Sequence, residues 1–184
     1  MTSPIVVEIE SLEGTRAFAQ KLAGLLEPGD TVVLEGPLGA GKTSLSRELL
    51  FALGVDEDEV ITSPTFAILH EYEGRALLVH ADLYRLEHPE EVGEIGLDEL
   101  QAEGAISLIE WGLRFEQELE GVVLLIELGF LKRRVDDGKP SQKERDWDEH
   151  DSQRRLVRVH ARSERGEKIL RRLAQEGALS ERPG

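Results

Sequence analysis

The stretch TVVLEGPLGAGKTSLSRELL, residues 31–50, decides the fold. Its first five residues are a short apolar run and read as a buried strand. Leu45, Leu49 and Leu53 then recur at helical spacing, and Gly54 ends that helix. Between strand and helix, Gly36, Gly39, Gly41, Lys42 and Thr43 fill the pattern G-x-x-x-x-G-K-[ST] in full. The glycines let the backbone curl so that successive N–H groups point inward, and the helix start adds its positive dipole end. Lys42 is expected to reach the β and γ phosphates of a nucleotide, and Thr43 to offer a hydroxyl to Mg²⁺. Gly36, Pro37, Leu38, Gly39, Ala40, Gly41, Lys42, Thr43 and Ser44 are thus the expected nucleotide-binding residues.

Outward from this unit the chain alternates strands and helices. IVVEIE at residues 5–10 alternates apolar and acidic residues, as a half-buried edge strand does. Ser11 reads as an N-cap, followed by Phe18, Leu22, Leu25 and Leu26 at helical spacing until EPGD at 27–30. Downstream, RALLVHADLYR, AISLIEW and GVVLLIEL read as buried strands. HPEEVGEIGLDEL reads as an acidic helix interrupted by Gly93 and Gly96. RLVRVHA alternates like a final, outer strand, and SERGEKILRRLAQEG closes as a helix with Ile169, Leu170 and Leu173 inward. The stretch at about 131–153 is rich in charge and turn formers and is expected to be a solvated loop insertion between two strands. This order predicts an α/β fold: a P-loop NTPase-like three-layer sandwich with a mostly parallel central sheet, forming a single domain over residues 1–184.

Ligands of such sheets bind at the carboxyl ends of strands. The glycine loop, His80 with Asp82, and Glu110 should therefore converge. A P-loop nucleotidase needs a second acid for the metal or its water. Asp82 is placed to bind metal or act on the attacking water, and Glu110 ends the more continuous apolar strand, where a metal-binding acid is expected. TSPTF at 62–66 lies where a metal-sensing switch threonine belongs, so Thr65 or Thr62 is a candidate. His80 reads either as a catalytic group or as an ordinary polar residue at a strand end. Trp111 is placed to pack over the site or onto a partner. No [NT]-K-x-D guanine-reading segment occurs, which disfavours GTP.

Composition narrows the classes further. The chain has 184 residues and no cysteine, which excludes disulfides and thiol catalysis. A net charge of −15 argues against a protein that coats a nucleic-acid backbone. The acids dominate before residue 131, whereas residues 132–184 carry more bases than acids. That basic end is either a solvated helix face or a contact surface for an acidic partner or RNA. No apolar run approaches the length of a membrane span, so a soluble cytoplasmic protein is expected.

GPLGAGKTSLSRELL, TSPTFAILHEYEG, VHADLYRLEHPEEVGEIGLDEL and ISLIEWG follow in this order, and over about residues 5–175 the chain resembles the TsaE (YjeE) family. Only the first segment is general to P-loop proteins; S-P-T-[FY], H-x-D-L-Y-R and I-E-W are specific. The resemblance implies an ATPase that uses Mg²⁺, turns over slowly alone, and is stimulated in a complex with the TsaD and TsaB proteins. That complex makes N6-threonylcarbamoyladenosine in tRNA, so tRNA is met indirectly, and the ATPase resets it between turnovers. By motif, Thr43 and Glu110 become the metal residues and Asp82 and Lys42 the catalytic ones. An adenine pocket is implied near Leu12 and Arg155. The charged stretch from Lys132 to Gln153 departs from the short turn usual in the family. Two other readings fit a phosphate loop: a small-molecule or nucleotide kinase with Lys132–Arg134 as a lid, and a nucleotide-dependent scaffold.

Overall fold

The computed structural model describes residues 3–131 and 154–175. The expected insertion falls outside them from residue 132 onward, as does the lid reading of Lys132–Arg134. Strand β2 (Thr31–Glu35) is buried on both faces, so Val32 and Leu34 enter one core and Val33 the other. Helix α2 (Lys42–Ala52) follows directly and turns Leu45, Leu49 and Leu50 onto the sheet. Five further strands share the sheet's core or margins before the last helix: β1 (Ile5–Ile9), β3 (Leu69–Glu73), β4 (Leu77–Asp82), β5 (Ile106–Glu110) and β6 (Val122–Phe130). Strand β7 (Arg155–Ala161) completes them.

The seven lie in the order β1-β7-β6-β2-β5-β4-β3. Strands β6, β2, β5 and β4 are parallel neighbours, and antiparallel pairs flank them on both sides. The P-loop NTPase-like three-layer sandwich is therefore borne out, with the parallel part in the centre. On one face pack α1 (Leu12–Ala23), α2 and α5 (Glu164–Gln175); on the other pack α3 (Glu90–Glu94), α4 (Leu97–Ala102) and a 3₁₀ turn at Leu113–Glu118. Gly96, at φ 72°, breaks the acidic helix into α3 and α4, whereas Gly93, expected to interrupt it too, lies inside α3 without a positive φ.

The place of the last strand is corrected as well. β7 is not the outer strand: it lies between β1 and β6, antiparallel to both, and β1 forms the edge. Its alternation of buried Val157 and Val159 with exposed Arg158 reports one covered face and one wet face. Antiparallel strands show that pattern inside a sheet as well as at its margin.

Candidate functional site

The loop from Gly36 to Gly41 is curled by three glycines at positive φ: Gly36 at 140°, Gly39 at 77° and Gly41 at 99°. A side chain at Gly36 would put its Cβ 2.1 Å from the Leu128 carbonyl oxygen, so only glycine fits there. Gly41 caps α2 without any side-chain acceptor, and no acid lies in the first turn. The first amides of α2 are thus left for an anion. Leu38 stands 87% exposed at the loop tip, while Ala40 is buried beneath it.

Lys42 is nearly buried. Its Nζ donates to the carbonyls of Gly36 at 2.7 Å and Pro37 at 3.2 Å, and lies 3.8 Å from the centroid of the Trp111 ring. Burial holds its ammonium below the usual lysine range, against the pull of Glu110, Glu35 and Asp82 in the other direction. Trp111 adopts φ 61°, which few non-glycine residues do, and its amide donates to the Leu34 carbonyl. That turn carries the indole off the end of β5 and over the loop, 5.0 Å from the ring of Tyr84.

Register brings the two acids together. Leu34 of β2 and Asp82 of β4 both stand opposite Glu110 of β5. Thr43 Oγ1 donates to Glu110 Oε2 at 3.1 Å, and His80 Nε2 lies 2.8 Å from Glu110 Oε1. Asp82 Oδ2 accepts from Ser63 at 2.8 Å and Thr65 at 2.7 Å, and Oδ1 accepts from the Tyr84 amide at 3.0 Å. The two hydroxyls are themselves 2.7 Å apart. Thr62, the other switch candidate, is exposed. The loop that carries Ser63 and Thr65 ends at Ile68, a β-branched residue held at φ 69°.

These groups line a cleft of about 380 Å³ that includes Gly39, Lys42, Thr43, Asp82, Glu110 and Trp111. A second cleft of about 240 Å³ is walled by Ile9, Leu12, Leu45, Leu128, Arg155 and Val157. The two clefts share Gly41, Ser44 and Arg155. Arg155 Nε donates to the Ala40 carbonyl at 2.7 Å, and its guanidinium sits 5.3 Å from the Phe130 ring. An apolar slot thus opens beside an amide-lined loop, as a site for a flat ring joined to phosphates requires. Every residue expected at the site except Thr62 borders one of these clefts, lies in the loop, or contacts a residue that does. Ser63, Tyr84 and Phe130 were not foreseen. Ser63 and Tyr84 lie inside motifs already singled out, beside Pro64 and Asp82, whereas nothing local marks Phe130.

A phosphate loop between β2 and α2, on a sheet parallel at its centre, defines a P-loop NTPase-like protein. The chain belongs to the TsaE family: the model described as threonylcarbamoyl adenosine biosynthesis protein TsaE matches residues 9–135. It is 40% identical over 121 residues to the tRNA threonylcarbamoyladenosine biosynthesis protein TsaE of Treponema pallidum, spanning 66% of this chain and 88% of that one. The protein of the same name from Bacillus subtilis is 40% identical over 126 residues, 68% of this chain and 75% of its own length. The one from Aquifex aeolicus is 38% identical over 133 residues, covering 70% and 92%. The crystal structure of Bacillus subtilis YdiB superposes with a TM-score of 0.70 at 25% identity, over 96% of this chain and 98% of that one. The family model's match ends before β7 and α5, so Arg155 lies beyond it.

Proposed function

We propose that this protein is an Mg²⁺-dependent ATPase that supports formation of N6-threonylcarbamoyladenosine in tRNA by binding and resetting a TsaD–TsaB complex in the cytoplasm. The observation that carries the ATPase reading is the convergence of Lys42, Thr43, Asp82 and Glu110 on one cleft. The loop amides and Lys42 hold the phosphates and stabilise charge that develops on their oxygens. Lys42 must exchange the Gly36 and Pro37 carbonyls for phosphate oxygens on binding. Leu12 and Arg155 belong to the slot that takes adenine.

The donor set fits magnesium. Thr43 Oγ1 and Glu110 Oε2 are hard oxygens that already face each other. Among the described residues no three His, Asp or Glu side chains form a metal cluster. Mg²⁺ needs none, because it is usually held by one or two protein oxygens together with substrate phosphates. Thr43 and Glu110 would hold the ion, which would supply positive charge against that of the phosphates. Asp82 orients the attacking water, and Thr65 is the residue of the 63–68 loop that senses the bound state. Among the described residues no helix is long and apolar enough to cross a membrane.

Phosphate release tests this reading when measured for the protein alone, with TsaD and TsaB, and with tRNA added. Slow release that rises with the partners is expected. Release that stays at background in every mixture points to a scaffold, and ATP consumption that requires a small hydroxylated acceptor points to a kinase.

A further inference from the structure

His80 has no part in the chemistry above, yet it is wholly buried on β4, beside β5. Its Nε2 faces Glu110 Oε1 at 2.8 Å. Its Nδ1 is buried and has no hydrogen-bond partner among the described residues. An ionised carboxylate only accepts, so Nε2 carries the proton and donates. Leu78 lies on the same face of β4, and Leu108 stands opposite His80 on β5. A third leucine would suit those surroundings without leaving a buried nitrogen unpaired, which is unfavourable. The single bond to Glu110 is therefore what an imidazole provides here that a leucine does not.

Glu110 is itself only 2% exposed, and its two oxygens face different neighbours. Oε2 accepts the Thr43 hydroxyl on the cleft side, and Oε1 accepts His80 from one step deeper in the sheet. We propose that His80 is the positioning residue of Glu110: by holding Oε1 it fixes the carboxylate so that Oε2 is presented to Thr43 and to the divalent cation bound with the nucleotide. This rests on the reading of Glu110 as a metal residue. Groups that orient a metal ligand in this way typically change metal affinity by about 10–100-fold when removed.

The test is ADP binding by calorimetry, in EDTA and across a Mg²⁺ series, which avoids turnover. His80→Leu should bind ADP like the parent in EDTA but need about 10–100-fold more Mg²⁺ for the half-maximal effect. His80→Gln, whose amide can donate to the same oxygen, should recover most of that loss. If the leucine variant does not fold, His80→Met takes its place, because the flexible thioether adapts to the same space. On a Glu110→Gln background, removal of His80 should add nothing. If Glu110→Gln leaves the Mg²⁺ midpoint unmoved, the metal reading of Glu110 fails. If that variant shifts the midpoint while His80→Leu or His80→Met does not, the positioning role alone is overturned. Equal loss of ADP affinity with and without Mg²⁺ would make His80 a purely structural residue.

Discussion

Asp82 accepts three hydrogen bonds, from Ser63, Thr65 and the Tyr84 amide, and so sits in a fixed orientation at the end of β4. Asparagine keeps the shape but can neither accept a proton nor carry the charge that draws water. Asp82→Asn should therefore retain ATP and lose hydrolysis by ~10²-fold or more, read from single-turnover phosphate release. A variant that turns over at the parental rate would remove Asp82 from the chemistry. Glu35 gives a different residue-level prediction. It ends β2, its Oε1 accepts the Leu113 amide, and burial raises its carboxyl above the usual value of 4.5. The unfolded chain then loses this proton at lower pH than the folded one. Between the two values the folded state binds more protons, so stability falls as pH rises through that window. Glu35→Gln removes the titration while keeping an acceptor for Leu113. Its melting temperature should match the parent's in acid, rise above it as pH climbs past the usual carboxylate value, and keep a constant margin once Glu35 is ionised in the folded state. Melts that run parallel across that range would show that Glu35 adds no pH dependence.

At the level of elements, α1 links stability to the site. Ser11 adopts extended backbone at the N-cap, and its hydroxyl accepts the Gly14 amide at 3.1 Å. The same residue lines the slot beside Leu12. Ser11→Ala removes one cap bond and should cost about 1 kcal/mol, a fall of roughly 2–4 °C in melting temperature for a domain of this size. ATP affinity should change little, since the apolar wall of Ile9, Leu12, Leu45, Leu128 and Val157 and the polar Thr15, Ser44 and Arg155 all remain; a large affinity loss with no thermal shift would mean that Ser11 touches the nucleotide. The helix was legible in the sequence because capping and helical spacing are local. The same holds for α2 and its loop. β7 was legible as a strand but not in its position, because alternation records how many faces are covered and not which strand lies alongside.

Across the whole molecule, the described bases of the carboxy-terminal end, apart from the exposed Arg158 of β7, divide into two sets. Arg154 pairs with Glu10, Arg155 with the Ala40 carbonyl and Phe130, Arg162 with Glu116, and Arg165 with the Leu25 carbonyl and Asp30. Those four tie β7 and the start of α5 to the rest of the fold. Lys168, Arg171 and Arg172 are exposed on α5, with Arg171 3.4 Å from Glu167. They remain the candidates for a partner's acidic surface, and exposed charge of this kind acts on encounter and is screened by salt. Replacing the three with Gln should leave ATP binding intact and weaken stimulation by TsaD, TsaB and tRNA, most at low salt. Stimulated phosphate release that overlays the parent across a salt series would leave the ridge as ordinary solvated surface.

The phosphate loop, its flanking strand and helix, and the α/β class can be read from the residues alone, because contiguous residues bend the backbone and set the apolar period without distant help. Asp82 and Glu110 are marked there too, since each ends an apolar run. What those acids touch depends on the packed fold. Thr65 meets Asp82 across 17 residues, His80 meets Glu110 across 30, and Arg155 reaches Ala40 across 115. Such pairs depend on which strands lie side by side and in what register. That choice is made by burial of both sheet faces at once, a property of the packed whole that no local segment carries.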